Sequence, residues 1–149
     1  MLKGISSLLS PALLAVLSEM GHGDEIVLAD ANFPSSSIAE GGRLIRADGI
    51  PMADLLSAIL PLFPLDQYDS ENFILMEVVP NDPCVPTIWD EFRTILQRHE
   101  PDVIPSMLER QAYYKRAKKA FAVVATGERA QYANIILKKG VVYPHETPN

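Results

Sequence analysis

The chain has 149 residues, of which 48% are hydrophobic and 21% are charged, as is ordinary for one globular domain. Its formal net charge of −6 at pH 7 gives no field that would attract phosphate backbones or anionic lipid headgroups. We therefore expect neither nucleic acid nor a membrane as a partner. The single cysteine, Cys84, cannot form an internal disulfide bond, which favours a reducing compartment and a cytoplasmic protein.

Hydrophobic periodicity and turn residues predict alternating helices and strands. From the N-terminus, the predicted elements are a helix over 11–20, a strand over 25–29, a strand over 43–46 and a helix over 51–60. They continue with a strand over 73–79, helices over 87–99 and 109–119, and strands over 121–125 and 135–137. The stretch 31–42 predicts a long loop, or a loop with one short helical turn. Alternating elements with short connections favour a three-layer α/β/α fold with a mixed, mostly parallel sheet.

Helix start signals support two of these assignments. Ser10 before Pro11 is a typical N-cap followed by proline in the first turn. Thr87 with Asp90 three residues later resembles a capping box. The tail over 143–149 carries no such pattern, and we expect it to be flexible.

Two polar residues flank the predicted strand over 25–29. His22 stands between two glycines in the turn before the strand, where a histidine is poorly suited to a core position. Because histidine titrates near neutrality, it can both give and take protons there. Asp30 follows the strand, where a carboxylate either binds a ligand or fixes the loop. On pattern alone, a structural role remains open for both residues.

Other patterns argue against several classes of activity. The chain has no glycine-rich phosphate loop, no nucleophile elbow and no His-x-x-x-His pair. Phosphoryl transfer, serine hydrolysis and zinc catalysis are therefore disfavoured. The basic run over 115–119 is more typical of a solvated helix face than of a phosphate site.

Five ordered segments carry a resemblance to a known family. These segments are Met20–Pro34, Ile45–Gly49, Pro64–Tyr68, Tyr114–Glu128 and Tyr132–Gly140. They closely resemble the L-fucose mutarotases, which form one branch of a family that also contains the D-ribose pyranases. The resemblance implies one sugar mutarotase domain over 1–149. Only the stretch from about 70 to 107 departs from the pattern, and it indicates least about activity.

The resemblance implies an isomerase that interconverts the α and β anomers of L-fucose without a metal or another cofactor. Ring opening delivers one proton to the ring oxygen and withdraws another from the anomeric hydroxyl, and both transfers reverse on reclosing. The implied catalytic residues are His22, as proton donor, Tyr114 and Asp66. The implied substrate-binding residues are Asp30, Arg110, Tyr132 and Asn134. Asp30 is also a candidate for orienting His22, whereas Asp66 and Tyr114 could equally be structural.

Three alternatives to an L-fucose mutarotase stay open. Ala133 stands where the ribose branch has alanine and the fucose branch has glycine, which keeps a D-ribose pyranase as the nearest alternative. A methyl group at this position either narrows the pocket or faces away from it. The other two alternatives are a sugar-binding protein without activity and a purely structural subunit. The resemblance also implies a closed homo-oligomer, often a decameric ring in this family, with sites near subunit contacts.

Overall fold

The chain folds into one six-stranded sheet with helices on both faces, as its alternating pattern of helices and strands predicts. The structure is a computed structural model that describes residues 1–147. Its α-helices are α1 (Pro11–Glu19), α2 (Ser35–Ile38), α3 (Met52–Ile59), α4 (Ile88–His99) and α5 (Arg110–Ala117). Its strands are β1 (Glu25–Ala29), β2 (Arg43–Ala47), β3 (Phe73–Met76), β4 (Ser106–Leu108), β5 (Ala122–Thr126) and β6 (Ile135–Lys138).

The strands lie in the order β2-β5-β1-β6-β3-β4. β5 runs parallel to both β1 and β2, and β3 runs parallel to β4. β6 is antiparallel to its two neighbours, β1 and β3. This topology confirms the predicted mixed, mostly parallel sheet. It also places the ends of β1 and β3 and the start of β6 along one edge of the sheet.

Alternate residues of the central strand face two separate hydrophobic clusters. Ile26 and Leu28 pack with residues of α1, α3 and α4. Val27 and Ala29 pack on the other face with residues of α2 and α5. A strand that is covered on both faces reads as a continuous apolar run, as the sequence of β1 does. The two clusters confirm the predicted α/β/α layers.

The structure differs from the predicted elements in three places. The Thr87 side chain makes no capping hydrogen bond, because Thr87 already has helical backbone angles of −63° and −25°; the predicted capping box is therefore wrong. β3 ends at Met76 rather than at Val79, since the chain turns towards a proline-rich loop. β4 was not predicted, because its three residues are too few to show a period. By contrast, Ser10 caps α1 as expected, accepting from Leu13 N at 3.2 Å.

The C-terminal tail contains a short 3-10 helix over Pro144–Glu146. The predicted flexibility of 143–149 stays a prediction, and residues 148 and 149 lie outside the described part of the chain. Within residues 1–147, no helix combines the length and the apolar character needed to cross a membrane.

Candidate active site

A cavity of about 280 Å³ opens beyond the carboxyl end of β1. Five of the seven residues singled out from the sequence line it, and these are Asp30, Arg110, Tyr114, Tyr132 and Asn134. Because the carboxyl ends of parallel strands form the ligand-binding edge of open α/β sheets, this position is the expected one. His22 and Asp66 do not line this cavity.

Asp30 and Asn134 form a reciprocal pair at the cavity floor. Asp30 N donates to Asn134 Oδ1 at 2.8 Å, and Asn134 Nδ2 donates to Asp30 Oδ2 at 3.0 Å. Burial raises the pKa of the Asp30 carboxyl, and hydrogen bonds from the backbone of Asn32, Phe33 and Ala133 and from the Asn134 side chain lower it in part. The carboxylate is thus fixed in orientation, and both groups are suited to hydrogen bonding with hydroxyls.

Ala133 lies between two cavity residues but does not itself face the cavity. It is fully buried in the hydrophobic cluster that includes α3 and α4. Its methyl group therefore points away from the site and does not narrow the pocket. Of the two alternatives stated for this alanine, the structure therefore shows the one in which the methyl group faces away from the pocket.

The first two turns of α5 supply another wall of the cavity. Glu109 caps this helix by accepting from Gln111 N at 3.0 Å and Ala112 N at 2.6 Å. The Arg110 guanidinium carbon lies 5.7 Å from the Tyr114 ring centroid, and the Phe33 ring centroid lies 5.6 Å from the same ring. This wall combines a two-pronged donor with aromatic faces, which suits a ring that carries both hydroxyls and apolar C–H groups.

Six further residues line the cavity, and none of them was predicted from the sequence to have a role: Asn32, Phe33, Met76, Val79, Asp82 and Gln131. Asn32 and Phe33 belong to a segment that carries the family resemblance. Val79 and Asp82 come from the stretch 70–107, where the resemblance is weakest. The signal that could have found Asp82 is a carboxylate in a loop directly after a strand's carboxyl end.

His22 and Asp66 form a second polar centre at the other end of β1. His22 Nε2 lies 3.0 Å from Asp66 Oδ1, and the side chains are 48% and 4% exposed. The Tyr68 ring centroid lies 5.5 Å from that of His22. The five residues of β1 separate this pair from Asp30, a span of roughly 16 Å at about 3.3 Å per residue. The expectation that Asp30 orients His22 is therefore wrong within one chain, where Asp66 is the partner.

The turn that carries His22 is held by Lys139. The Lys139 carbonyl accepts from Gly23 N at 2.8 Å. Its Nζ donates to the carbonyl oxygens of Leu17 at 2.6 Å and Met20 at 2.5 Å, at the end of α1. Both sides of the histidine are thus tied to one residue after β6.

Asp66 is held by a close approach of two backbone segments. Asp66 N donates to Lys138 O at 3.0 Å, and Asn72 Nδ2 donates to Asp66 O at 2.8 Å. A Cβ atom on Gly140 would lie 2.6 Å from Leu65 O and 2.9 Å from Asp66 Cα. Glycine is therefore required at 140 if Asp66 is to reach His22.

Within residues 1–147, no group of three or more histidine, cysteine, aspartate or glutamate side chains is arranged to hold a metal ion. The donors and acceptors at both polar centres are side chains that bind hydroxyls or move protons. The cavity can hold a small polar ring, and the His22–Asp66 pair offers groups that can give and take a proton.

Several proteins are similar to this chain over almost its whole length. A fucose mutarotase from Danio rerio is 56% identical over 150 residues, which cover 97% of each chain. A crystal structure of the fucose mutarotase from Streptococcus pneumoniae in complex with L-fucose is 52% identical, covers 95% of this chain and 100% of that chain, and superposes with a TM-score of 0.90. The structure of Bacillus subtilis RbsD complexed with D-ribose is 25% identical, covers 96% and 100%, and has a TM-score of 0.72.

The agreement extends to the family level. The sequence profile of the RbsD / FucU transport protein family matches residues 3–142. This range includes the cavity residues, the His22–Asp66 pair and all six strands. The chain therefore belongs to the RbsD / FucU transport protein family.

Proposed function

We propose that this protein is a mutarotase that interconverts the α and β anomers of L-fucose. One observation carries the proposal: the cavity beyond β1 brings together Asp30, Asn134 and the first two turns of α5. The chain around this cavity is 52% identical to a fucose mutarotase whose structure contains L-fucose.

In this proposal the cavity holds the sugar ring. Asp30 accepts hydrogen bonds from hydroxyls, and the Asn134 amide keeps the carboxylate in place. Arg110 donates through its fork to two neighbouring sugar oxygens. The Tyr132 ring covers the apolar face of the sugar. Binding in one pose brings the anomeric carbon and the ring oxygen to fixed positions for proton transfer.

His22 is the proton donor in this mechanism, and Asp66 orients it. With Nε2 bonded to Asp66, Nδ1 is the nitrogen left to carry the proton that passes to the sugar. A proton passes to the ring oxygen while the anomeric hydroxyl loses one, and the open-chain carbonyl forms. Rotation about the adjacent C–C bond and reclosing give the other anomer. Tyr114, which lines the cavity, is the candidate for the second proton-handling group.

The separation of the two polar centres supports a homo-oligomer. Within one chain, β1 lies between His22 and the cavity, so we propose that the His22–Asp66 pair of one copy completes the cavity of a neighbour. Tyr68 beside His22 is 70% exposed, and Ile104 on the same side is 81% exposed. Such apolar groups suit a subunit contact. A head-to-tail contact of this kind gives a ring where the rotation between neighbouring copies closes.

We also propose that the protein acts in the cytoplasm. The observation that supports this location is Cys84, a free cysteine in a chain that has no second cysteine. Thiols of this kind are kept reduced in the cytoplasm.

A D-ribose pyranase is less well supported. The sequence feature that favours a pyranase is the alanine at position 133. The methyl group of Ala133 is buried and does not reach the cavity. The ribose-bound relative is also the more distant one, at 25% identity against 52% for the fucose-bound relative.

Saturation-transfer NMR on the anomeric protons of L-fucose, with D-ribose in parallel, tests the proposal. We expect fast fucose exchange that is lost in His22→Ala and kept in His99→Ala, a matched control on the exposed end of α4. Exchange of ribose alone would assign the protein to the pyranases. Saturable fucose binding without exchange, unchanged in His22→Ala, would make it a sugar-binding protein without activity.

A further inference from the structure

Tyr132 has an unusual backbone conformation in the cavity wall. Its φ of 57° lies in the left-handed region, which aromatic residues rarely adopt. Two residues later, Asn134 pairs with Asp30 at the cavity floor. The conformation of Tyr132 thus fixes the start of β6 relative to the sugar site. Since this backbone is unfavourable in isolation, surrounding contacts must hold it.

The Tyr132 hydroxyl is held by the loop that follows β3. It donates to Asp82 Oδ2 at 2.5 Å and accepts from Val79 N at 3.3 Å. Asp82 is itself fixed, because its Oδ1 accepts from Cys84 N at 2.9 Å. The phenol therefore donates its one proton to Asp82 and has none left to donate to a ligand. Tyr132 would contact a ligand through its ring.

The backbone of Tyr132 is held from the same direction. Trp89 Nε1, in the first turn of α4, donates to Tyr132 O at 2.8 Å. Asp82, Val79 and Trp89 all belong to the stretch 70–107, which departs most from the fucose mutarotase pattern. The stretch 70–107 therefore controls the position of Tyr132, which itself lies in a segment that carries the family resemblance.

From these contacts we propose that Asp82 is a positioning residue, which acts through Tyr132 to set the shape of the cavity and the affinity for the sugar. This inference rests on the proposed function for its choice of L-fucose as the ligand. Without the carboxylate, the phenol loses a charge-assisted hydrogen bond and the ring is free to rotate. The sugar then loses the surface against which it packs.

The effect of Asp82 on affinity is measured with Asp82→Ala. We expect the KM for L-fucose to rise on the order of tenfold, as loss of one hydrogen bond to a charged group predicts, with a smaller change in kcat. Asp82→Asn keeps the shape but has one acceptor oxygen, which cannot serve both the phenol and Cys84 N, so it should restore only part of the affinity. Asp90→Ala, which removes an exposed carboxylate of α4, is the matched control and should leave KM unchanged.

A double-mutant cycle shows whether Asp82 acts through the phenol. If it does, Asp82→Ala raises KM in the wild-type background but adds little in a Tyr132→Phe background. Equal effects in both backgrounds, or no effect on KM in either, would overturn the proposal.

A tyrosine titration gives a readout that is independent of turnover. The hydrogen bond to Asp82 raises the pKa of the Tyr132 phenol. In NMR titrations with ¹³C-labelled tyrosine, the signal that is absent from Tyr132→Phe should therefore titrate at lower pH in Asp82→Ala. An unchanged titration would contradict the hydrogen bond between Tyr132 and Asp82 in solution. Because this measurement needs no sugar, it still tests Asp82 if the wild-type protein fails to exchange L-fucose anomers.

Discussion

Asp66 Oδ1 lies 3.0 Å from His22 Nε2, and this pair stands at the start of β1, whereas Asp30 stands at its end. The pair proposed to handle protons and the cavity proposed to hold the sugar are therefore at opposite ends of the strands of one sheet. No rotation of a side chain can bridge five residues of strand. The proposed chemistry consequently requires two copies of the chain, and it divides the site residues into two groups that can be tested separately.

Asp66→Ala is expected to lower kcat for L-fucose exchange about 10²-fold or more, in line with the contribution of a positioned acid or base. The reason is that His22 loses the carboxylate that fixes its ring orientation and tautomer. The same NMR exchange experiment measures it, with Asp90→Ala, which removes an exposed carboxylate of α4, as the matched control. If Asp66→Ala exchanges fucose as fast as the wild-type protein, the pairing has no catalytic role.

Asp30 should make sugar binding depend on pH. Burial raises the pKa of its carboxyl above the ordinary value of 3.8, so at low pH the group is protonated and binds hydroxyls less well. We expect the KM for L-fucose to fall as pH rises through the window above 3.8, and to lose this dependence in Asp30→Asn. A pH profile that is the same in both proteins would show that Asp30 does not titrate in the binding step.

The Asp30 carboxyl should also make stability depend on pH. A rise in pH should strengthen sugar binding but lower the free energy of unfolding. The folded chain binds this proton more tightly than the unfolded chain does, so the free energy of unfolding falls as pH rises through the window above 3.8. Denaturant unfolding of the wild-type protein and Asp30→Asn at several pH values measures the difference. The difference between the two proteins should change with pH only within that window.

Arg110→Ala is expected to raise the KM for L-fucose on the order of tenfold, because two donors to sugar oxygens are lost. Arg110→Lys should recover only part of the affinity, since a single ammonium group does not reproduce the fork. Arg93→Ala, which removes an exposed arginine paired with Asp90, is the control. Equal KM values for Arg110→Ala and Arg93→Ala would remove Arg110 from the sugar site.

Lys139→Met tests the support of the His22 turn. The variant leaves the Leu17 and Met20 carbonyls without their charged donor, so the free energy of unfolding should fall by about 1–3 kcal/mol. Burial lowers the pKa of Lys139. The cost of burying its charge therefore offsets part of the stabilisation that its two hydrogen bonds provide. The exposed Lys115→Met is the control in thermal and denaturant unfolding. Equal stability of the two variants would contradict this role.

The sequence was sufficient for most of the fold because its signals are local. Ser10 and Pro11 define the start of α1, and the apolar run of β1 is bounded by polar residues on both sides. β4 could not be predicted, since three residues that pair with a distant strand carry no pattern of their own. The Thr87 signal failed because the backbone there was already helical.

The site residues could be named from the sequence, but their grouping could not. Asp30, Tyr132 and Asn134 meet because antiparallel pairing brings the start of β6 beside the end of β1, and strand order is a long-range property. For the same reason, the resemblance could offer Asp30 as a candidate for orienting His22, although the intervening strand separates them within one chain. Asp82 was missed because it lies in the stretch where the family pattern gives no guidance.

Complementation between inactive variants tests the central claim most directly. His22→Ala and Asp30→Ala should each be inactive alone, whereas co-assembled oligomers should contain intact sites built from the cavity of one copy and the histidine of another. Random 1:1 assembly into a ring predicts roughly one quarter of the wild-type fucose exchange rate. His22→Ala mixed with Asp66→Ala is the control and should stay inactive, because both residues come from the same copy. If verified hybrids of His22→Ala and Asp30→Ala also stay inactive, the site is not shared between copies.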